Sequence, residues 1–185
     1  MKLRLLWRLR VRGTENVPMN GGLIVAANHI SYFDPPALGC ALPRQLTYMA
    51  KSELFRIPLF GPFIAALGAY PIERGRGDIG AIKRSVALLR EGHAVAMFPE
   101  GTRNFEGKTG AQNGAALLAS LAGVPIVPAY IAGTDAVARL ARITVTFGAP
   151  LVVERSQKAS RDDLAKITDE VMGRIRGLRE TMGAD

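Results

Sequence analysis

Seven short apolar runs recur along the chain, and stretches with helical periodicity lie between most of them. A run of roughly four to eight apolar residues bounded by turn residues is typical of a buried strand. Alternation of such strands with helices is typical of domains that pack helices against a central sheet. The sequence therefore predicts an α/β fold with strands at residues 8–12, 22–27, 46–50, 69–73, 93–98, 125–131 and 142–147.

Four segments between or after the strands carry helix signals. The clearest places Ile82, Val86 and Leu89 on one face at helical spacing. The predicted helices cover residues 34–42, 78–92, 114–123 and 160–178. A chain of 185 residues has the usual size of one domain. We therefore expect a single domain over residues 1–185, with residues 1–6 as a short basic and apolar N-terminal segment.

The chain is strongly basic, with a formal net charge of +8. Five of the basic residues lie among the first twelve, interleaved with leucines and a tryptophan. Such a charge favours an anionic partner, which could be nucleic acid, a phosphorylated metabolite or an acidic membrane. Residues 7–12 alternate apolar and basic, as a half-buried strand does, so only residues 1–6 are free to contact a membrane surface.

The single cysteine, Cys40, excludes an internal disulfide, and a cytoplasmic setting is the default expectation. No charged neighbour in sequence would lower the pKa of its thiol, so we expect a core position and not a nucleophile. The apolar stretch after Lys2 is too short and too charged for a signal peptide.

Three polar clusters follow predicted strands, where sites of α/β proteins gather. They are "NHISYFD" at 28–34, "IER" at 72–74 and "FPEGTR" at 98–103. In the first, His29 could act as a base whose second ring nitrogen is held by the carboxylate of Asp34. The alternative is a loop histidine followed by an ordinary helix cap, since a proline after Asp34 is a helix start signal. The pair alone does not decide between them.

The chain has no G-x-S-x-G motif and no Cys-His arrangement, so a nucleophile is expected to come from a substrate. Ser31 is two residues from His29, but a serine before a helix is more often a local hydrogen-bonding residue. The two histidines, His29 and the turn residue His93, lie in no metal-binding pattern. The sequence predicts neither a metal site nor another cofactor.

The third cluster combines Glu100, Gly101, Thr102 and Arg103. Backbone N–H groups and a guanidinium could converge there on one anion, and Arg74 could add a second guanidinium fork. The alternative is a surface Glu–Arg pair at a strand end.

The three clusters, in this order, resemble the motifs of the 1-acyl-sn-glycerol-3-phosphate acyltransferase family of glycerolipid acyltransferases. Its N-H-x-x-x-x-D motif is met by Asn28, His29 and Asp34, and its third motif by "FPEGTR". The strand ending in arginine is similar to "GAYPIER", and the apolar segment with spaced prolines to "VPIVPAYI" at 124–131. The likeness covers nearly the whole chain from about residue 8.

This resemblance implies a single-domain fold with a mixed central sheet of about seven strands flanked by helices. It implies that His29 is the general base, that Asp34 orients it, and that a lipid hydroxyl attacks an acyl thioester directly. It also implies that Arg74, Glu100, Gly101 and Arg103 bind the glycerol-phosphate end. Backbone donors at Gly101 or Thr102 are expected to stabilise the oxyanion.

The expected partners are acyl-CoA or acyl carrier protein as donor, a lysophospholipid as acceptor and an anionic membrane surface, with no nucleic acid. The expected location is the cytoplasmic face of the membrane, peripheral or monotopic. Departures from the family pattern at Asn104 and residues 111–113 leave open another lysophospholipid or glycolipid acceptor. A third hypothesis is a non-catalytic binder of anionic lipid or nucleic acid.

A charge-free apolar segment covers residues 57–72 and contains three prolines and two glycines. It is shorter than the ~18 apolar residues of a membrane-spanning helix. The sequence allows three interpretations: a buried helix and strand, an interfacial patch, or the wall of an acyl-chain pocket.

Overall fold

A computed structural model describes residues 8–72, 79–100, 111–139 and 141–182. Within these residues, one sheet of seven strands has the order β1-β7-β6-β2-β5-β3-β4. Neighbouring strands are parallel except for the antiparallel pair β6 and β7. The strands are β1 (Arg10–Arg12), β2 (Leu23–Ala27), β3 (Leu46–Lys51), β4 (Ala69–Ile72), β5 (Ala94–Met97), β6 (Ile126–Ala132) and β7 (Thr144–Phe147). The predicted mixed seven-stranded sheet is confirmed.

In the described ranges, five α-helices connect or follow these strands. They are α1 (Asp34–Ala41), α2 (Phe60–Ala66), α3 (Ile79–Arg90), α4 (Gly114–Ala122) and α5 (Arg161–Met182). Short 3₁₀ turns cover Thr14–Asn16, Ser52–Arg56 and Val137–Arg139. The four predicted helices are confirmed, and α2 lies in the apolar segment 57–72. No helix in the described part of the chain is both long enough and apolar enough to cross a bilayer.

The core consists of two apolar layers, one on each face of the sheet. Strand β2 is buried along its whole length because alternate residues enter both layers. Val25 packs in the layer that contains α1, whereas Ile24 packs with residues of α3, α4 and α5. A strand with helices on both sides needs apolar residues at every position, which explains the unbroken run "LIVAA".

The centre of the sheet contains a topological switch point between β2 and β5. After β2 the chain crosses through α1 on one face, and after β5 it crosses through α4 on the other. Adjacent parallel strands whose connections leave to opposite faces open a crevice beyond their carboxyl ends. The segments that follow β2 and β5 therefore meet at this crevice.

Candidate active site

His29 lies two residues after the end of β2, and a four-residue turn separates it from Asp34 at the start of α1. The Nδ1 atom of His29 lies 2.8 Å from Oδ2 of Asp34. The imidazole side chain keeps 17% of its exposure, whereas the Asp34 side chain is fully buried. An ionised carboxylate can only accept, so Nδ1 donates and Nε2 is left as the proton acceptor.

The Asp34 carboxylate is held by donors on both oxygens. Oδ2 also accepts the backbone N–H groups of Ile30 and Ser31, each at 2.7 Å. Oδ1 accepts the hydroxyl of Thr134, which is fully buried. A buried carboxylate is tolerated when its lone pairs are hydrogen-bonded, and this one lies at the favourable N-terminal end of α1.

The helix-cap interpretation of Asp34 is wrong in its detail. Phe33 occupies the N-cap position without a side-chain cap, and Asp34 is the first residue of α1. The carboxylate turns back to the turn that precedes it and does not cap the N–H groups of its own helix. The carboxylate therefore orders the segment that bears His29.

Asn28 fixes the end of β2 against β6. Its side-chain amide donates to the carbonyl of Ile131 at 2.9 Å, and its side-chain oxygen accepts the Ile131 N–H at 2.7 Å. The side chain is buried. This two-bond clamp extends the strand pairing by one residue and sets the position of the next residue, His29.

The segment after β5 lies beside His29, as expected from the positions of both clusters after predicted strands. The ring of Phe98 stacks on the imidazole, with centroids 4.4 Å apart and an interplanar angle of 28°. Oε2 of Glu100 accepts the backbone N–H of His29 at 3.3 Å. Burial raises the pKa of the Glu100 carboxyl, and the hydrogen bond from His29 partly offsets that rise.

The remaining predicted site residues lie outside the described part of the chain. They are Arg74, Gly101, Thr102 and Arg103. Asn104, which differs from the family pattern, also lies outside the described residues. Residues 111–113, which differ as well, are described and precede α4. The roles predicted for these four residues stay predictions.

A hydrogen-bonded imidazole with a free second nitrogen can remove a proton from a hydroxyl, and a carboxylate behind it stabilises the resulting cation. A family model described as Acyltransferase matches residues 8–132. The chain belongs to the acyltransferase family. The resemblance of its motifs is thereby confirmed.

The relatives of this acyltransferase include proteins with named lipid acceptors. The 1-acyl-sn-glycerol-3-phosphate acyltransferase of Bacillus subtilis (strain 168) is 32% identical over 97% of this chain and 92% of that protein. The lyso-ornithine lipid O-acyltransferase of Pseudomonas aeruginosa is 35% identical over 58% of this chain and 43% of that protein. The crystal structure of the LPA acyltransferase PlsC from Thermotoga maritima matches with a TM-score of 0.72 and 28% identity, over 94% of this chain and 72% of that one.

Thr134 is the acyltransferase site residue that sequence reasoning missed. It follows β6, whose carboxyl end lies at the same edge of the sheet as that of β2. Gly133 makes the turn at φ +83°, and a Cβ there would lie 2.2 Å from the carbonyl oxygen of Arg142. A polar residue shortly after a predicted strand was the available signal.

Two further expectations concern residues near the site. The Ser31 hydroxyl accepts the N–H of Phe33 at 3.2 Å, which confirms a local hydrogen-bonding role. Cys40 lies on α1 and is half-buried, not fully buried as a core position requires.

Proposed function

We propose that this acyltransferase transfers a fatty acyl chain from a thioester donor to the free hydroxyl of 1-acyl-glycerol-3-phosphate, giving phosphatidic acid. The observation that carries the proposal is the hydrogen bond of 2.8 Å between His29 and the buried Asp34. Support for the acceptor comes from the Bacillus subtilis relative, which matches over nearly its whole length.

In the proposed mechanism, Nε2 of His29 takes the proton of the acceptor hydroxyl while its oxygen attacks the thioester carbonyl. The C–O bond forms first, and the tetrahedral intermediate then breaks its C–S bond. The leaving thiolate takes the proton back from the imidazolium, so the products are an ester and a free thiol. Asp34 stabilises the imidazolium through its hydrogen bond to Nδ1.

The acceptor's glycerol-phosphate end is proposed to bind beside this base. Arg74 and Arg103 supply guanidinium groups for the phosphate, and the backbone at Gly101 and Thr102 supplies N–H donors for the phosphate or for the oxyanion. Glu100 is not proposed to bind the phosphate itself, because an ionised carboxylate repels phosphate. Its carboxylate instead accepts the backbone N–H of His29 and a hydroxyl of the glycerol.

A second candidate keeps the chemistry and changes the acceptor. The sequence departs from the family pattern at Asn104 and residues 111–113. A relative named lyso-ornithine lipid O-acyltransferase shares 35% identity over 116 residues. Another lysophospholipid or a glycolipid alcohol is therefore the alternative acceptor.

We further propose that the protein works as a peripheral or monotopic protein on the cytoplasmic face of a membrane, with acyl-CoA or acyl carrier protein as donor. The long acyl chain of the acceptor and the basic charge of the protein support this location. A role as a nucleic-acid binder is disfavoured because its sole support is the basic net charge, which does not identify a function.

The decisive experiment is mass spectrometry of the products formed from a mixture of lysolipids with each donor type. The proposal expects phosphatidic acid as the main product and a clear preference for one donor. Conversion of another lysolipid with lysophosphatidate untouched would replace the first acceptor by the second candidate. Failure to acylate any acceptor with either donor would contradict the proposed reaction.

A further inference from the structure

The connection between β3 and β4 exposes five large apolar side chains. The exposed fraction is 89% for Leu59, 56% for Phe63, 46% for Ile57 and 42% each for Phe60 and Leu67. We name these five residues the apolar face. The interpretation of this segment as a buried helix is wrong for α2, in which Gly61 alone is buried. Tyr70 on β4, by contrast, is buried as predicted.

The apolar face consists of residues on α2 and in the segments directly before and after it. Residues 60, 63 and 67 are spaced by three and four positions, so their side chains lie above one another. On the inner side, a Cβ at Gly61 would lie 2.2 Å from the carbonyl oxygen of Phe55, so glycine allows the helix to rest on the preceding 3₁₀ turn. A surface helix ordinarily turns polar residues outward, whereas "FGPFIAA" contains none.

We propose that the apolar face docks on the surface of an anionic lipid bilayer, an inference that rests on the proposed lipid acceptor. A large apolar patch on an exposed protein surface marks an interaction site. Aromatic and aliphatic side chains beside basic residues are typical of surfaces that bind the interface of a membrane.

The charge pattern selects lipid as the occupant. No acidic residue lies between Glu53 and Glu73 in the sequence, and the charged residue within that interval is Arg56, which is exposed. A basic residue at the rim of an apolar face is attracted to anionic headgroups. In a symmetric contact between two copies, the same patch would meet itself and bring two Arg56 side chains together.

The segment that carries the apolar face begins at the same edge of the sheet as the candidate active site. The 3₁₀ turn at Ser52 begins at the carboxyl end of β3, which lies two strands from β2, or about 10 Å. The crossovers through α1 and α2 move in the same direction along the sheet, so right-handed connections put both helices on one face. Tyr32 and Phe33, between His29 and α1, are 73% and 42% exposed. Docking would therefore bring His29 close to lipid-embedded acceptor.

The first test measures binding of the full chain to vesicles of phosphatidylcholine and phosphatidylglycerol. The variant Leu59→Asn/Phe63→Gln removes two exposed apolar side chains, and asparagine suits the φ of 66° at Leu59. The matched control is Val152→Gln, because Val152 is 81% exposed and lies beside α5, which packs on the opposite face.

Vesicle partition is expected to fall by about tenfold or more in the double variant and to stay within about twofold in the control. Equal binding by the double variant and the control would overturn the proposal. So would a change in oligomeric state by sedimentation velocity with unchanged vesicle binding, which would assign the apolar face to a second copy.

The second test reports insertion of this face directly. Trp7 is the single tryptophan, so Trp7→Phe/Phe63→Trp carries its only indole on α2, and Trp7→Phe/Val152→Trp is the control. Vesicles are expected to shift the emission of the first variant to shorter wavelength, and brominated lipid is expected to quench it. Emission that is unaffected by vesicles would overturn the proposal.

Both tests measure binding to vesicles and not turnover, so their outcome does not depend on the proposed reaction. The Leu59→Asn/Phe63→Gln variant is expected to retain turnover on a monomeric short-chain acceptor within about twofold, and to lose about tenfold or more on vesicle-embedded acceptor. Equal loss on both would overturn docking as the role of this face. If the wild-type protein acylates neither acceptor, the proposed function is contradicted, whereas the measured vesicle binding of the apolar face still stands.

Discussion

Asp34 determines the geometry of the candidate site at the residue scale, because its two oxygens accept hydrogen bonds from four different residues. Two of the donors are backbone N–H groups of its own turn, and these form as soon as the turn folds. The Thr134 hydroxyl comes from another strand end and ties the turn to β6. The carboxylate is thereby fixed both locally and across the sheet before a substrate binds.

We expect Thr134 to act as a positioning residue for the catalytic pair. Thr134→Val keeps the side-chain shape but leaves Oδ1 of the buried Asp34 without its donor. The Asp34–His29 pair should then be misplaced, and kcat should fall about tenfold to a hundredfold while KM changes little. Steady-state kinetics with varied acceptor concentration measure both parameters.

The matched variant is Thr134→Ser, which restores the hydroxyl and should recover most of the lost kcat. A purely structural role of the hydrogen bond would instead lower the melting temperature of Thr134→Val and leave its kcat per folded molecule unchanged. A Thr134→Val enzyme with wild-type kcat would show that the hydrogen bond to Asp34 has no part in positioning.

The ionisation of Glu100 is expected to make the stability of the protein depend on pH. Its pKa is raised by burial above the ordinary 4.5, so the folded state holds the proton more tightly than the unfolded chain does. That contribution to stability is present below the unfolded pKa and is lost as the pH rises through the folded pKa. Glu100→Gln cannot ionise and can still accept the His29 N–H. The variant should therefore have a higher melting temperature than wild type at pH 7.5, and the gain should shrink towards pH 4.

Thermal melts of both proteins across that pH range measure the difference. A difference that stays constant from pH 7.5 to pH 4, or that grows as the pH falls, would contradict the assigned cost of the buried carboxylate.

The sequence predicted His29 and Asp34 as a pair because they are five residues apart in one turn. The residues that hold this pair are not visible in the same way. Asn28 bonds to Ile131 and Asp34 bonds to Thr134, partners about a hundred residues along the chain. Such pairs depend on which strands are neighbours, and the order β6-β2-β5 is a property of the whole sheet that short patterns do not contain.

At the scale of secondary-structure elements, prediction succeeded where the period of the apolar residues in the sequence matches the positions that are buried in the structure. Strand β2 and helix α3 have patterns set by the layers they pack against, and both were predicted within two residues at each end. Helix α2 is different, because an apolar sequence indicates burial, whereas exposure depends on whether another element covers the helix. In the described part of the chain none covers the apolar face.

The start of α5 is a capping box. The Ser160 hydroxyl accepts the N–H of Asp163 at 3.1 Å, and Oδ2 of Asp163 accepts the N–H of Ser160 at 3.1 Å. Ser160→Ala removes the cap and should lower the melting temperature by about 2–4 °C, with Ser160→Thr close to wild type. Calorimetry at neutral pH decides this, and equal melting temperatures for the alanine variant and wild type would show that the cap is not needed.

At the scale of the whole molecule, the net charge of +8 and the apolar face lead to different salt dependences. Attraction of the basic chain to anionic vesicles is screened as ionic strength rises, whereas apolar contact is not. Binding to anionic vesicles should weaken strongly between about 0.05 and 0.5 M salt and level off above zero. Complete loss of binding at high salt would mean that charge alone holds the protein to lipid.

The central claim of this account is that the imidazole of His29 takes the proton of a lipid hydroxyl. The most direct measurement is the turnover of His29→Gln, whose amide can still donate to Asp34 but cannot take a proton at neutral pH. The other histidine of the chain, exposed in the turn before β5, gives the matched control His93→Gln. With both variants folded, we expect kcat to fall by about 10²–10⁴ for His29→Gln and to stay near wild type for His93→Gln. A folded His29→Gln enzyme with wild-type turnover would contradict the account.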